Sequence, residues 1–138
     1  MGSIRVGFFK NFKGEDTLLI DVDVEGLRNL MAWLRDVMSS GRTVLLSACP
    51  GVSLQPGLRV EVIRSRQDAG LLRTAETAFM WKRSEDGWTD IIELLAPLEA
   101  GACHQYLRGP RDDVRVMASI GEYGEEWWKR HGSRSPSD

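Results

Sequence analysis

Cysteine and histidine are scarce, with two of each among 138 residues. Cys49 and Cys103 stand far apart, and neither has a second cysteine nearby. That spacing excludes a CxxC redox motif, a cysteine-rich zinc site and a disulfide framework. His104 and His131 form neither an HExxH motif nor a cluster with carboxylates, so no metal and no cofactor is expected. Long apolar runs are missing too. No stretch approaches the roughly 20 residues of a membrane helix, and residues 1–10 lack the apolar centre of a signal peptide. The expectation is a cytoplasmic protein with reduced thiols. Gly101, Gly109, Gly121 and Gly124 follow neither the phosphate-loop nor the dinucleotide-binding pattern. Charge of one sign is not in excess: 18 Lys and Arg against 20 Asp and Glu leave −2. Such balance argues against a general nucleic-acid or membrane-surface binder.

What is present suits one domain. Hydrophobic residues make up 42% of the chain, enough for a core at this length without a metal or disulfide staple. Residues 1–131 read as a single α+β domain and 132–138 as a disordered tail rich in Ser, Pro and charge. Residues 3–9 and 17–22 alternate as strands about a turn at Asn11–Asp16. A helix follows, capped by Asp23 and stopped by Gly41, with Leu27, Leu30, Met31, Leu34, Val37 and Met38 on one face. The apolar run 43–48 predicts a strand covered on both faces, ended by Pro50 and Gly51. Residues 58–63 and 76–82 read as strands separated by a polar segment. Residues 86–100 predict a second helix whose buried stripe is Trp88, Ile91, Ile92, Leu94, Leu95 and Leu98. Residues 102–107 and 114–118 predict a last hairpin. Ser119 to Glu122 matches a capping box, so a third helix is expected from there to about His131. The order is ββα, βββα, ββα. It implies one mostly antiparallel or mixed sheet of six or seven strands, with the helices mainly on one face.

Three groups of residues could carry function. Asp86, Asp90 and Glu93 share the outer face of the second helix, within a segment (84–107) that holds no Lys or Arg, and fit a protein partner with a basic surface. Trp127 and Trp128 diverge by about 100° around a helix, so one can pack while the other anchors a partner. The rival is a small-molecule or catalytic pocket near His104, Tyr106 and Cys49. There, alternation puts Cys103 and His104 on opposite faces and excludes a dyad of these two. Arg108, Arg111 and Arg115 flank the last turn, where Asp112 and Asp113 offer them local partners.

His104-Gln105-Tyr106-Leu107, the turn Gly109-Pro110-Arg111-Asp112, the strand Val114 to Ser119, and Glu122-Tyr123 together resemble small bacterial α+β proteins, some of which are toxin-immunity partners. The likeness covers roughly residues 79–128 and carries no catalytic signature. It implies an immunity-like or regulatory binding role and carries over no functional residue.

Overall fold

In the computed structural model, which describes residues 2–135, the opening alternation becomes a hairpin of β1 (Ile4–Phe12) and β2 (Glu15–Val22). Lys13 and Gly14 both have positive φ, 49° and 90°, as a two-residue hairpin turn of the primed type requires. The register slips between Phe9 and Phe12, so one strand carries an extra residue there. Helix α1 (Val24–Ser40) starts at Asp23, whose Oδ1 accepts the backbone N–H groups of Gly26 and Ser3 at 2.7 and 3.0 Å. It ends at Gly41 in the left-handed conformation, and Arg64 donates to the Met38 carbonyl at 2.6 Å. Both signals had been legible as caps.

The middle of the chain departs from expectation. The run 43–48 is not a fully covered strand. It forms the two-residue edge strand β3 (Val44–Leu45) and then a short 3-10 turn, Leu46–Ala48. Two strands went unforeseen, β4 (Val52–Leu54) and β6 (Gly70–Ala75). The others in this region are β5 (Arg59–Arg64) and β7 (Ala78–Arg83). Helix α2 (Glu85–Glu99) follows, then β8 (His104–Tyr106), β9 (Arg115–Ile120) and α3 (Glu125–His131).

The described residues are thus α+β with three helices, but they hold nine strands in two mixed sheets rather than six or seven in one. Sheet A has the order β4-β1-β2-β9-β8 and sheet B the order β3-β5-β7-β6. Pairs β1–β4, β2–β9 and β5–β7 are parallel and the rest antiparallel. The main core lies between the sheets. α1 packs on β1, β2 and β5, while α2 packs on β7, β8 and β9. Where the helices do not reach, the sheets touch directly, with the Phe8 and Phe79 rings 5.1 Å apart. Trp81 and Trp88 sit at the centre, edge to face at 5.0 Å, and the Trp88 indole donates to the Ile63 carbonyl at 3.1 Å.

Not all the helices gather on one face. α1 and α2 pack their apolar faces on the main-core side of sheet A with their polar faces exposed, and α3 lies on the opposite side. There Trp128 packs on Leu19 and Met117 in a second, smaller core. Nor does α3 begin at Ser119. That residue belongs to β9, where its hydroxyl donates to Asp21 at 2.7 Å, and the helix starts after Gly124. The apparent capping box is a strand end. Leu94 is not part of the buried stripe, being 37% exposed, because it falls to the solvent edge of α2.

The β8–β9 loop closes sheet B. Asp112 accepts from the backbone of Leu71 and Gly109 at 2.8 and 2.7 Å, and Asp113 from that of Arg73 at 2.9 Å. These carboxylates satisfy the N–H groups that edge strand β6 would otherwise leave open. Gly70, with φ 138°, leaves the room: a Cβ there would stand 2.0 Å from Asp112 Oδ1. The tail expectation spans 132–138. Ser133 donates to the Lys129 carbonyl at 2.6 Å, and 136–138 lie outside the described residues.

Candidate functional site

The side of sheet A turned away from the main core carries the most unusual surface. The alternation of β1 sends Ile4, Val6 and Phe8 inward and Arg5, Gly7 and Phe9 outward. Without the extra residue near the turn, Phe12 would fall on the inner side. The slip brings it beside Phe9, with ring centroids 6.2 Å apart. From α3, Trp127 meets Phe9 edge-on at 5.1 Å and Phe12 at 6.1 Å, while Tyr123 lies 4.7 Å and His131 4.6 Å from it. Gly7 makes the approach possible, since a Cβ there would stand 2.7 Å from the Phe9 ring and 3.1 Å from Trp128. Below the cluster, Gln55 accepts the Phe8 N–H at 2.8 Å and continues the edge of β1 beyond the end of β4.

These rings line a groove of about 570 Å³. Its other charged or titratable lining groups are Lys10, Lys13, Arg130, Arg134 and His131, and no carboxylate takes part. Lys10, Lys13, Arg130 and Arg134 are exposed, and none is in an ion pair among the described residues. Asn11 and Lys13, at the rim, hold left-handed backbone (φ 51° and 49°), a conformation that non-glycine residues adopt at some cost.

Of the two tryptophans, Trp128 is the packed one, at 7% exposure, and Trp127 is half-buried in the groove. Burying Trp128 contributes about 1.5–3 kcal/mol to holding the short α3 on the sheet. Its indole N–H is aimed towards Asp21 but stops short of hydrogen-bond geometry, so the nitrogen has no hydrogen-bond partner. Burial raises the Asp21 carboxyl above its ordinary value, against the opposing pull of the Ser119 hydroxyl and the Trp128 indole. A carboxyl raised on folding supports the fold fully below its unfolded-state value of 3.8, and that support is lost as pH rises through the folded-state value. Asp21→Asn should therefore gain stability relative to the native protein as pH rises from about 4 to about 7. Urea midpoints across that range measure it, and a difference that does not change with pH would contradict the assignment.

The acidic trio is placed elsewhere. Asp86, Asp90 and Glu93 are exposed on α2, whose apolar side faces the main core. Sheet A stands between them and Trp127, so the two groups cannot meet one flat contact together. Glu85 and Asp86 have a local cause, since they occupy the first turn of α2, where the helix dipole favours carboxylates.

The alternative pocket is not assembled either. His104 and Tyr106 share the outer side of β8, ring centroids 5.5 Å apart, and His104 Nδ1 lies 3.0 Å from Glu122 Oε1. Cys49 is in the main core across the sheet, and burial pushes its thiol up to about 11, so it is protonated at neutral pH. Tyr106 is flanked instead by Arg108 and by the buried Arg115, which donates to Thr17 Oγ1 at 3.0 Å. No group of three or more His, Cys, Asp or Glu suited to a metal occurs among the described residues. No helix among them is long and apolar enough to cross a membrane.

Sequence reasoning found the α3 end of the groove and missed its β1 wall. The signal was Phe8-Phe9-Lys10-Asn11-Phe12-Lys13, where aromatics and cations interleave next to a turn.

The class of site is a ring-lined, cation-rimmed groove rather than a catalytic cluster. Comparisons with known proteins add little to that. No protein-family model matches the chain, and no solved structure matches it. The chain is similar to the "Serine/threonine-protein kinase BSK1-2" of Oryza sativa subsp. japonica, 31% identical over 117 residues. That alignment takes in 83% of this chain and 21% of the rice protein, so the chain spans about a fifth of the length of this curated relative.

Proposed function

We propose that the chain is a protein-binding domain, regulatory or immunity-like, that engages its partner through the groove between β1 and α3. One observation carries this reading: Trp127 is half-buried at the centre of a ring cluster that serves no part of the main core. Large aromatics set in a partly desolvated hollow are the residue type that dominates affinity at protein contacts. The kinase activity in the rice protein's name is not part of the proposal. Neither a His-Arg-Asp nor an Asp-Phe-Gly tripeptide, both central to kinase phosphoryl transfer, occurs in the sequence. The resemblance to immunity partners supports the binding role and supplies no contact residue.

The test is Trp127→Ala. The variant should keep the native far-ultraviolet spectrum and most of its thermal stability, because Trp128 still holds α3. Affinity for a partner purified from the source organism should fall by about 30-fold, the weight of one dominant anchor. Unchanged affinity by titration calorimetry would overturn the groove as the contact.

A further inference from the structure

We infer that the groove takes an acidic segment of the partner, one that carries apolar or aromatic side chains among its carboxylates. This rests on the protein-binding reading and adds the chemistry of what is bound. Arg130 and Arg134 border the hollow on the α3 side and Lys10 and Lys13 on the hairpin side, with no carboxylate in the lining. None of the four is neutralised by an ion pair among the described residues. In a chain of net charge −2 such a local excess is not the average of the surface. Four like charges around one hollow repel each other and are relieved by an anionic ligand. The floor adds what a simple anion would not use, since Phe9, Phe12, Tyr123 and Trp127 present ring faces and edges to an apolar side chain.

The surroundings favour a short acidic stretch of protein over a nucleic acid. Asp16, beyond the hairpin turn, and Glu126, next to Trp127 on α3, are exposed and belong to no ion pair among the described residues. By contrast, Glu15 is paired with Arg108 and Arg115, Glu122 with His104 and Glu125 with Arg5. A phosphate backbone running past the groove in either direction would meet Asp16 or Glu126, whereas a short segment can end before them. Close like-charge approach of that kind opposes binding.

The experiment uses the full chain and labelled probes read by fluorescence anisotropy. The probes are a peptide of alternating Glu and Phe or Trp, its Gln counterpart, its Lys counterpart and a single-stranded oligothymidine. The acidic peptide is expected to bind tightest and to weaken as salt rises from about 50 to about 300 mM. Lys10→Glu with Lys13→Glu should weaken it roughly tenfold, and so should Arg130→Glu with Arg134→Glu. The two pairs lie on different elements, so a folding defect in one leaves the other informative. Equal affinity for the Gln peptide would overturn the acidic preference while leaving the protein-binding reading in place. Tighter binding of the oligothymidine would overturn both. Absence of binding by any probe would overturn the acidic inference, and the Trp127→Ala titration against the purified partner judges the broader reading separately.

Discussion

Trp88→Ala is expected to destabilise the fold by about 3–5 kcal/mol, a large part of the roughly 5–15 kcal/mol that holds a domain together. The residue is fully buried where α2 meets β5 and β7. Its loss removes apolar burial, opens a cavity beside Trp81 and leaves the Ile63 carbonyl without the indole donor. Trp88→Phe separates these contributions: it keeps a ring against Trp81 and deletes the hydrogen bond, so about 1–2 kcal/mol should be lost. Urea denaturation of both variants measures the pair. A cost below about 1 kcal/mol for Trp88→Ala would mean that α2 is not held on sheet B through this contact.

Asp68→Ala should cost about 3 kcal/mol, and Arg83→Met clearly less, although the two residues share one ion pair. Arg83 donates to Asp68 through Nε at 2.5 Å and Nη2 at 3.1 Å, and through Nη1 to the Arg108 carbonyl at 3.2 Å. Its side chain is 4% exposed against 31% for Asp68, so the pair is asymmetric. Removing the carboxylate leaves a guanidinium that water cannot reach, with its charge unpaired and only the Arg108 carbonyl still accepting from it. Removing the guanidinium leaves a carboxylate that water can reach and that still accepts from the Ser84 N–H. The acid response follows from the same geometry. The Arg83 hydrogen bonds hold the Asp68 carboxyl below its ordinary 3.8. The stability it contributes is present above that unfolded-state value and disappears as pH falls through the lower folded-state value. The acid limb of the stability profile should therefore be shallower in Asp68→Ala. Equal costs for both substitutions, with unchanged acid limbs, would show the pair to be energetically idle.

The sequence announced those elements whose signals are local. Asp23 and Gly41 mark α1 because a cap needs only the adjacent backbone. The stripe from Trp88 to Leu98 marks α2 because its spacing is helical. Strands β4 and β6 carried no such mark. β4 is three residues long and exists by pairing with β1, and β6 is held by β7 on one side and by Asp112 and Asp113 on the other. Division into two sheets is likewise a matter of distant pairings, which alternation within a strand does not encode. The groove was half legible. Trp127 stood out as an aromatic on a short helix, but Phe12 reaches it only because the register slips by a residue after Phe9.

The pairing of β2 with β9 also bears on how the chain is made. Thr17 lies opposite Arg115 in the middle of sheet A, a separation of 98 residues. On a ribosome, the β1–β2 hairpin must wait with one side unpaired until residues near 120 have left the exit tunnel. Leu18, Leu19 and Ile20, all buried in the finished protein, stand open during that interval. Such late closure favours slow folding and gives chaperones an opportunity to bind. The same strand that completes the sheet last also supplies Met117, beneath Trp128. The groove between β1 and α3 therefore takes shape only after residues 115–131 have been made, and a product truncated before them would lack it altogether.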